Sequence, residues 1–202
     1  MDDLLSTFIF FFAVIDPIGT IPVFIAVTNG YASSLKKSIA IKATIVSAFI
    51  LTFFVVAGEI ILEAIDIPLS AFQVAGGIVL FLFALSMIFG ESKPESEVNS
   101  VSDGAEVAIF PLAVPSIASP GAMLAAVLMT KNTEFTLLQQ GQTTLIILSV
   151  LLIAFVFMLL AGKINNMIGS NGASVVSRVM GLILASVAVS NVLSGIKVYF
   201  EI

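Results

Sequence analysis

Cysteine, histidine and tryptophan are all absent from the sequence, and charged side chains make up only 10% of it. The first two absences exclude disulfide exchange, metal centres built on Cys or His, and any His-based nucleophile relay. The scarcity of charge excludes a soluble enzyme, because ordinary soluble domains carry roughly a quarter charged residues. No Gly-rich loop ending in Lys-Ser or Lys-Thr occurs, so a nucleotide-driven pump is not expected. Nothing calls for a cofactor, a bound metal or a nucleic-acid partner. What the chain has instead is apolar surface: 59% of its 202 residues are hydrophobic and the mean hydropathy is +1.17. Its solvent is the lipid bilayer.

A helix needs about 20 apolar residues to cross a hydrocarbon core roughly 30 Å thick. Six segments qualify: Leu4–Thr28, Ile41–Leu62, Leu69–Gly90, Val107–Thr130, Thr143–Gly162 and Ser174–Val198. The chain starts Met1-Asp2-Asp3 with no lysine before Lys36, unlike the basic start of a cleaved signal, so the first segment is expected to be a retained span. Lys36, Lys37, Lys42, Lys93, Lys163 and Arg178 fall on one face of the membrane, and Lys131 and Lys197 on the other. The positive-inside bias then puts the odd-numbered loops in the cytoplasm and both termini outside, in a multi-pass plasma-membrane protein. The longest loop, 91–106, is rich in Glu, Asp and Ser and reads as a solvated cytoplasmic linker between a three-span half at 1–90 and another at 107–202. Asp16-Pro17 aligns with Ser119-Pro120 between the halves, as do Val74-Ala75-Gly76 with Val179-Met180-Gly181 and Gly90 with Gly195. A three-span unit repeated in one chain enters the membrane the opposite way the second time. The expected fold is therefore all-α, six transmembrane helices forming two inverted three-helix repeats.

Two Pro and Gly clusters interrupt the spans near mid-membrane. The first reads Ile15-Asp16-Pro17-Ile18-Gly19-Thr20-Ile21-Pro22; the second reads Pro111-Leu112-Ala113-Val114-Pro115-Ser116-Ile117-Ala118-Ser119-Pro120-Gly121. Proline removes a backbone donor and clashes with the preceding turn, so helices 1 and 4 are expected to be discontinuous. Interrupted backbone is tolerated in a membrane only where protein or a wet cavity surrounds it. Half-helix N-termini suit a carboxylate and half-helix C-termini suit a cation, so two breaks at one depth suit a zwitterion. Asp16 is the one ionisable residue near the centre of a span. A carboxylate there is held in its protonated form, or by hydroxyls, amides or a cation, which makes Asp16 the candidate for proton or cation coupling. Asn191 adds an amide to the last span, beside Ser186, Ser190 and Ser194 at four-residue spacing, and Thr20 and Ser116 flank the breaks.

Those two strings resemble the MarC family of bacterial and archaeal inner-membrane proteins, which includes small neutral amino acid transporters. The likeness covers nearly the whole chain. It implies a carrier for glycine, alanine and related amino acids whose site is formed by Asp16, Pro17, Gly19, Thr20 and Pro22 in the first string and Pro115, Ser116, Ser119, Pro120 and Gly121 in the second. The function expected is secondary transport of small zwitterionic amino acids by alternating access. The alternative is an oligomeric channel or pore with a ring of Asp16 carboxylates. Aspartyl intramembrane chemistry needs a second central carboxylate, which is missing, so no enzyme is expected.

Overall fold

The computed structural model describes residues 2–89, 106, 108–132 and 134–201, and the described residues contain helices and turns but no strand. In chain order the helices are α1 (Asp2–Ile15), α2 (Thr20–Val27), α3 (Ser33–Ala64), α4 (Leu69–Phe89), α5 (Ala108–Ile117), α6 (Pro120–Leu128), α7 (Leu137–Leu159) and α8 (Ala161–Phe200). Among the described residues, five stretches are long and apolar enough to cross a membrane: Leu4–Val27, Ser33–Ala64, Leu69–Phe89, Leu137–Leu159 and Arg178–Phe200. The bent pair α5 and α6 is the candidate for a sixth. The acidic linker expected at 91–106 falls outside the described residues apart from Glu106, as does Gly90.

The interrupted spans sit in the middle. In the first span 61% of the most apolar window is buried inside the protein, against 22–33% in the four unbroken ones. Helix α6 is buried at Gly121, Ala122 and Leu124 through Leu128. The helices that would expose unpaired backbone are thus screened by α3, α4, α7 and α8, which run as long continuous helices.

Helices α4 and α8 pack antiparallel with their backbones almost touching. A Cβ on Gly195 would lie 2.9 Å from the Ser70 carbonyl oxygen, one on Gly77 3.1 Å from that of Ala188, and one on Gly181 2.9 Å from that of Ala84. Small residues therefore face each other every seventh position, Ser70, Gly77 and Ala84 against Gly195, Ala188 and Gly181. Lipid gives helices no hydrophobic drive to associate, so such close approach supplies the packing energy. Gly76, adjacent in sequence, points to α6, where an added Cβ would overlap Leu124.

Three boundaries differ from expectation. The second span begins at Ser33 rather than Ile41, so Lys36 and Lys37 lie in its first turns. The fifth span begins at Leu137 rather than Thr143, because Thr136 and Gln139 form a reciprocal capping box. The stretch expected as a loop before Ser174 is helical, part of α8 from Ala161 onward; the chain turns at Leu160 instead. Glycine and asparagine lower helix propensity there, but no proline occurs between Gly162 and Ser174 to stop the helix. At the other end, buried Glu59 of α3 accepts a 2.6 Å hydrogen bond from the Asn132 backbone N–H, fastening the turn after α6.

Candidate functional site at the two helix breaks

The first break spans residues 16–19. Pro17 brings no N–H, and Asp16 takes a left-handed conformation (φ 49°) that Asp tolerates better than most residues. The Asp16 N–H closes α1 on the Phe12 carbonyl (3.0 Å), and the Asp16 carbonyl accepts from the Thr20 N–H and the Thr20 hydroxyl, each at 3.1 Å. Its carboxylate Oδ1 accepts from the Gly19 N–H at 2.9 Å. The carboxyl group thus caps the break it belongs to, while only 3% of the residue is exposed.

The second break is built differently. Helix α5 is a wide coil with extended backbone at Phe110 and Val114, each followed by a cis peptide bond to proline, at Pro111 and Pro115. It ends in a five-residue return, Ala118 N–H to the Ala113 carbonyl at 2.8 Å, and its axis is bent 54° from that of α6. Ser119 is extended and caps α6, its Oγ accepting from the Ala122 N–H at 3.1 Å, with Pro120 at the first helical position.

The breaks meet. Ser119 Oγ donates to the Val14 carbonyl (3.4 Å), one of the last four of α1 and so without an intrahelical donor. Ser47 of α3 donates to the Ala113 carbonyl, also at 3.4 Å. A Cβ on Gly121 would overlap Leu80 of α4 and lie 3.3 Å from Val14 Cγ1, so this glycine is where α1, α4 and α6 converge. Asp16, Thr20, Ser47, Ser116 and Ser119 are all at most 3% exposed, among Phe11, Ile15, Leu112 and Ile117 of the apolar core.

Of the residues expected at the site, Asp16, Pro17, Gly19, Thr20, Ser116, Ser119 and Gly121 are buried around the breaks, and Pro115 is half-buried. Asn191 is half-buried on α8 and stands outside the bonded set just described. Pro22 and Pro120 are exposed, in the first turns of α2 and α6, where a missing N–H costs nothing. The half-helix N–H groups expected to be open are partly taken by the chain itself, through Asp16 and Ser119. Two participants had no local signal: Ser47, one hydroxyl in a long apolar helix, and the Val14 carbonyl, exposed only by the break that follows it. The arrangement is a small, buried polar centre with one carboxyl group, hydroxyls and break carbonyls brought together from both halves of the chain.

A model of the MarC family, described as integral membrane proteins, matches residues 1–200. A UPF0056 membrane protein of Bacillus subtilis, YvbG, is 35% identical over 98% of this chain and 96% of its own length. Another from Methanocaldococcus jannaschii is 35% identical over 92% of each chain, and one from Aquifex aeolicus is 32% identical over 95% of this chain and 91% of its own. No solved structure matches.

Proposed function

This chain belongs to the MarC family of integral membrane proteins, and from that premise we propose that it is a secondary carrier of small neutral amino acids, glycine and alanine first. The observation that carries the reading is the bond from Ser119 to the Val14 carbonyl, which joins two interrupted spans beside a buried carboxyl group. In this reading helices 1 and 4 act as discontinuous helices, and the halves 1–90 and 107–202 form an inverted repeat joined by the linker. One part of the repeat rocks against the other, so that the breaks face each side in turn. The substrate carboxylate lies against N–H groups at the starts of α2 and α6 and exchanges with the bonds that Asp16 and Ser119 make there. Its ammonium lies against break carbonyls or Asp16, and the small neighbours Gly19, Ala118 and Gly121 limit the size of its side chain. Asp16 carries the coupling proton or cation. We place the carrier in the plasma membrane with the linker in the cytoplasm and the termini outside, following the six-to-two division of basic residues.

Counterflow in proteoliposomes tests this. Vesicles preloaded with glycine or alanine should accumulate the labelled amino acid, saturably and stereoselectively for alanine, and Asp16→Asn should exchange without responding to a proton gradient. Non-saturable flux through folded, reconstituted protein would favour the pore, and no flux of any small neutral amino acid would reject the substrate class.

A further inference from the structure

A cavity of about 430 Å³ opens away from the breaks, where α2 ends, α3 begins and α7 turns into α8. Its wall carries Ser33, Lys36 and Lys37 from the first turns of α3, and its apolar side carries Phe24, Met158 and Gly162 with their neighbours. None of the lining residues is acidic. Among the described residues the ion pair is Lys131 with Glu134, elsewhere in the fold, and neither lysine meets a described carboxylate at ion-pair distance. Ala32 gives α3 no side-chain cap, which leaves the positive end of that helix beside the same wall.

Depth settles the kind of ligand. From the first break, α2 (Thr20–Val27) runs about 12 Å to Thr28 at the cavity, where the first span ends and the second begins, while half the hydrocarbon thickness is about 15 Å. The cavity is therefore level with the boundary between acyl chains and headgroups. Two cations with no carboxylate among the described residues that line the cavity, an apolar flank and that depth fit a phosphate ester whose other end is hydrocarbon. We propose that this cavity is a binding site for the phosphate of an anionic phospholipid, held by Lys36 and Lys37 with its glycerol end on the Phe24 and Met158 side. Its occupant is a lipid of the surrounding leaflet, and the site is separate from the one at the breaks.

The test is titration of the purified full chain in neutral detergent with phosphatidylglycerol, read by native mass spectrometry as lipid retained and by the unfolding midpoint. Phosphatidylcholine and soluble glycerol phosphate run as parallel arms. The expected result is retention of phosphatidylglycerol over phosphatidylcholine, weakened roughly 10- to 30-fold in Lys36→Gln/Lys37→Gln, the scale of two lysine–phosphate attractions. Lys131→Gln should not weaken it. Gly162→Leu offers a second route that spares both lysines: a Cβ at Gly162 meets nothing within 4 Å, so the larger side chain fills the cavity and should also expel the lipid. Undiminished retention in both variants would overturn the proposal. Stabilisation by glycerol phosphate equal to that by the lipid would overturn the lipid assignment in favour of a free phosphate ester.

Discussion

The two breaks solve one physical problem, interrupted backbone inside an apolar core, by different means. At the first, the bonds described around residues 16–20 join groups no more than four residues apart, and the Asp16 carboxylate supplies the cap. The second is bent by 54° and its bonds leave the segment, from Ser119 to Val14 and from Ser47 to Ala113. One break thus concentrates charge and the other concentrates contacts between helices. The difference separates two jobs: at the first break a change of side chain should alter chemistry more than architecture, and at the second the reverse.

Ways to break that division follow in order of size. Gly121→Leu inserts a side chain where α1, α4 and α6 converge. It should cost upwards of about 3 kcal/mol and remove exchange together with the folded population, both read from thermal unfolding and counterflow of one preparation. Ser119→Ala removes the cap of α6 and the tie to Val14 together. A loss of about 1–2 kcal/mol is expected, which lowers the unfolding midpoint by roughly 3–8 °C. Asp16→Asn keeps an oxygen for the Gly19 N–H, so its midpoint should stay within about 2 °C of the parent, the shift expected for roughly 0.5 kcal/mol. The response of exchange to a proton gradient should nonetheless disappear. A midpoint that fell as far as in Ser119→Ala would make Asp16 mainly architectural. Ser47→Ala loses one long hydrogen bond and should cost about 0.5 kcal/mol, sharpening how much of the second break rests on α3. Pro22→Ala, at an exposed first-turn position, should change either readout least.

Much of the fold was legible because membrane spans are long local signals: uninterrupted apolar runs mark the all-helical set of candidate spans, and Pro and Gly clusters lie where α1 gives way to α2 and α5 to α6. The burial of those two breaks followed from the same residues, since lipid does not tolerate free backbone. Less legible was whatever depends on partners distant in sequence. Glu59 near the end of an apolar span is fastened by the Asn132 N–H, 73 residues away, and Ser47 in a long apolar helix reaches Ala113, 66 residues away. The contact of α4 with α8 does not pair the aligned glycines: Gly181 faces Ala84, Gly77 faces Ala188 and Gly76 points to α6, because facing positions follow the helix surfaces and not a shared string. Thr136 and Gln139 did carry a local signal, a cap followed three residues later by an amide, which moves the start of the fifth span outward. The helix through 163–173 shows the opposite error, in which polarity suggested a loop although nothing in those residues terminates a helix.

The central claim is that the breaks form one site reached from solution, and the absence of native cysteine lets a single introduced thiol report on it. Thr20→Cys and Ser116→Cys, one in each half, would be labelled with a soluble maleimide in proteoliposomes across a range of alanine concentrations. The account predicts that both label and that alanine protects both with the same half-protecting concentration. Protection at one position only, or no labelling at either, would contradict it.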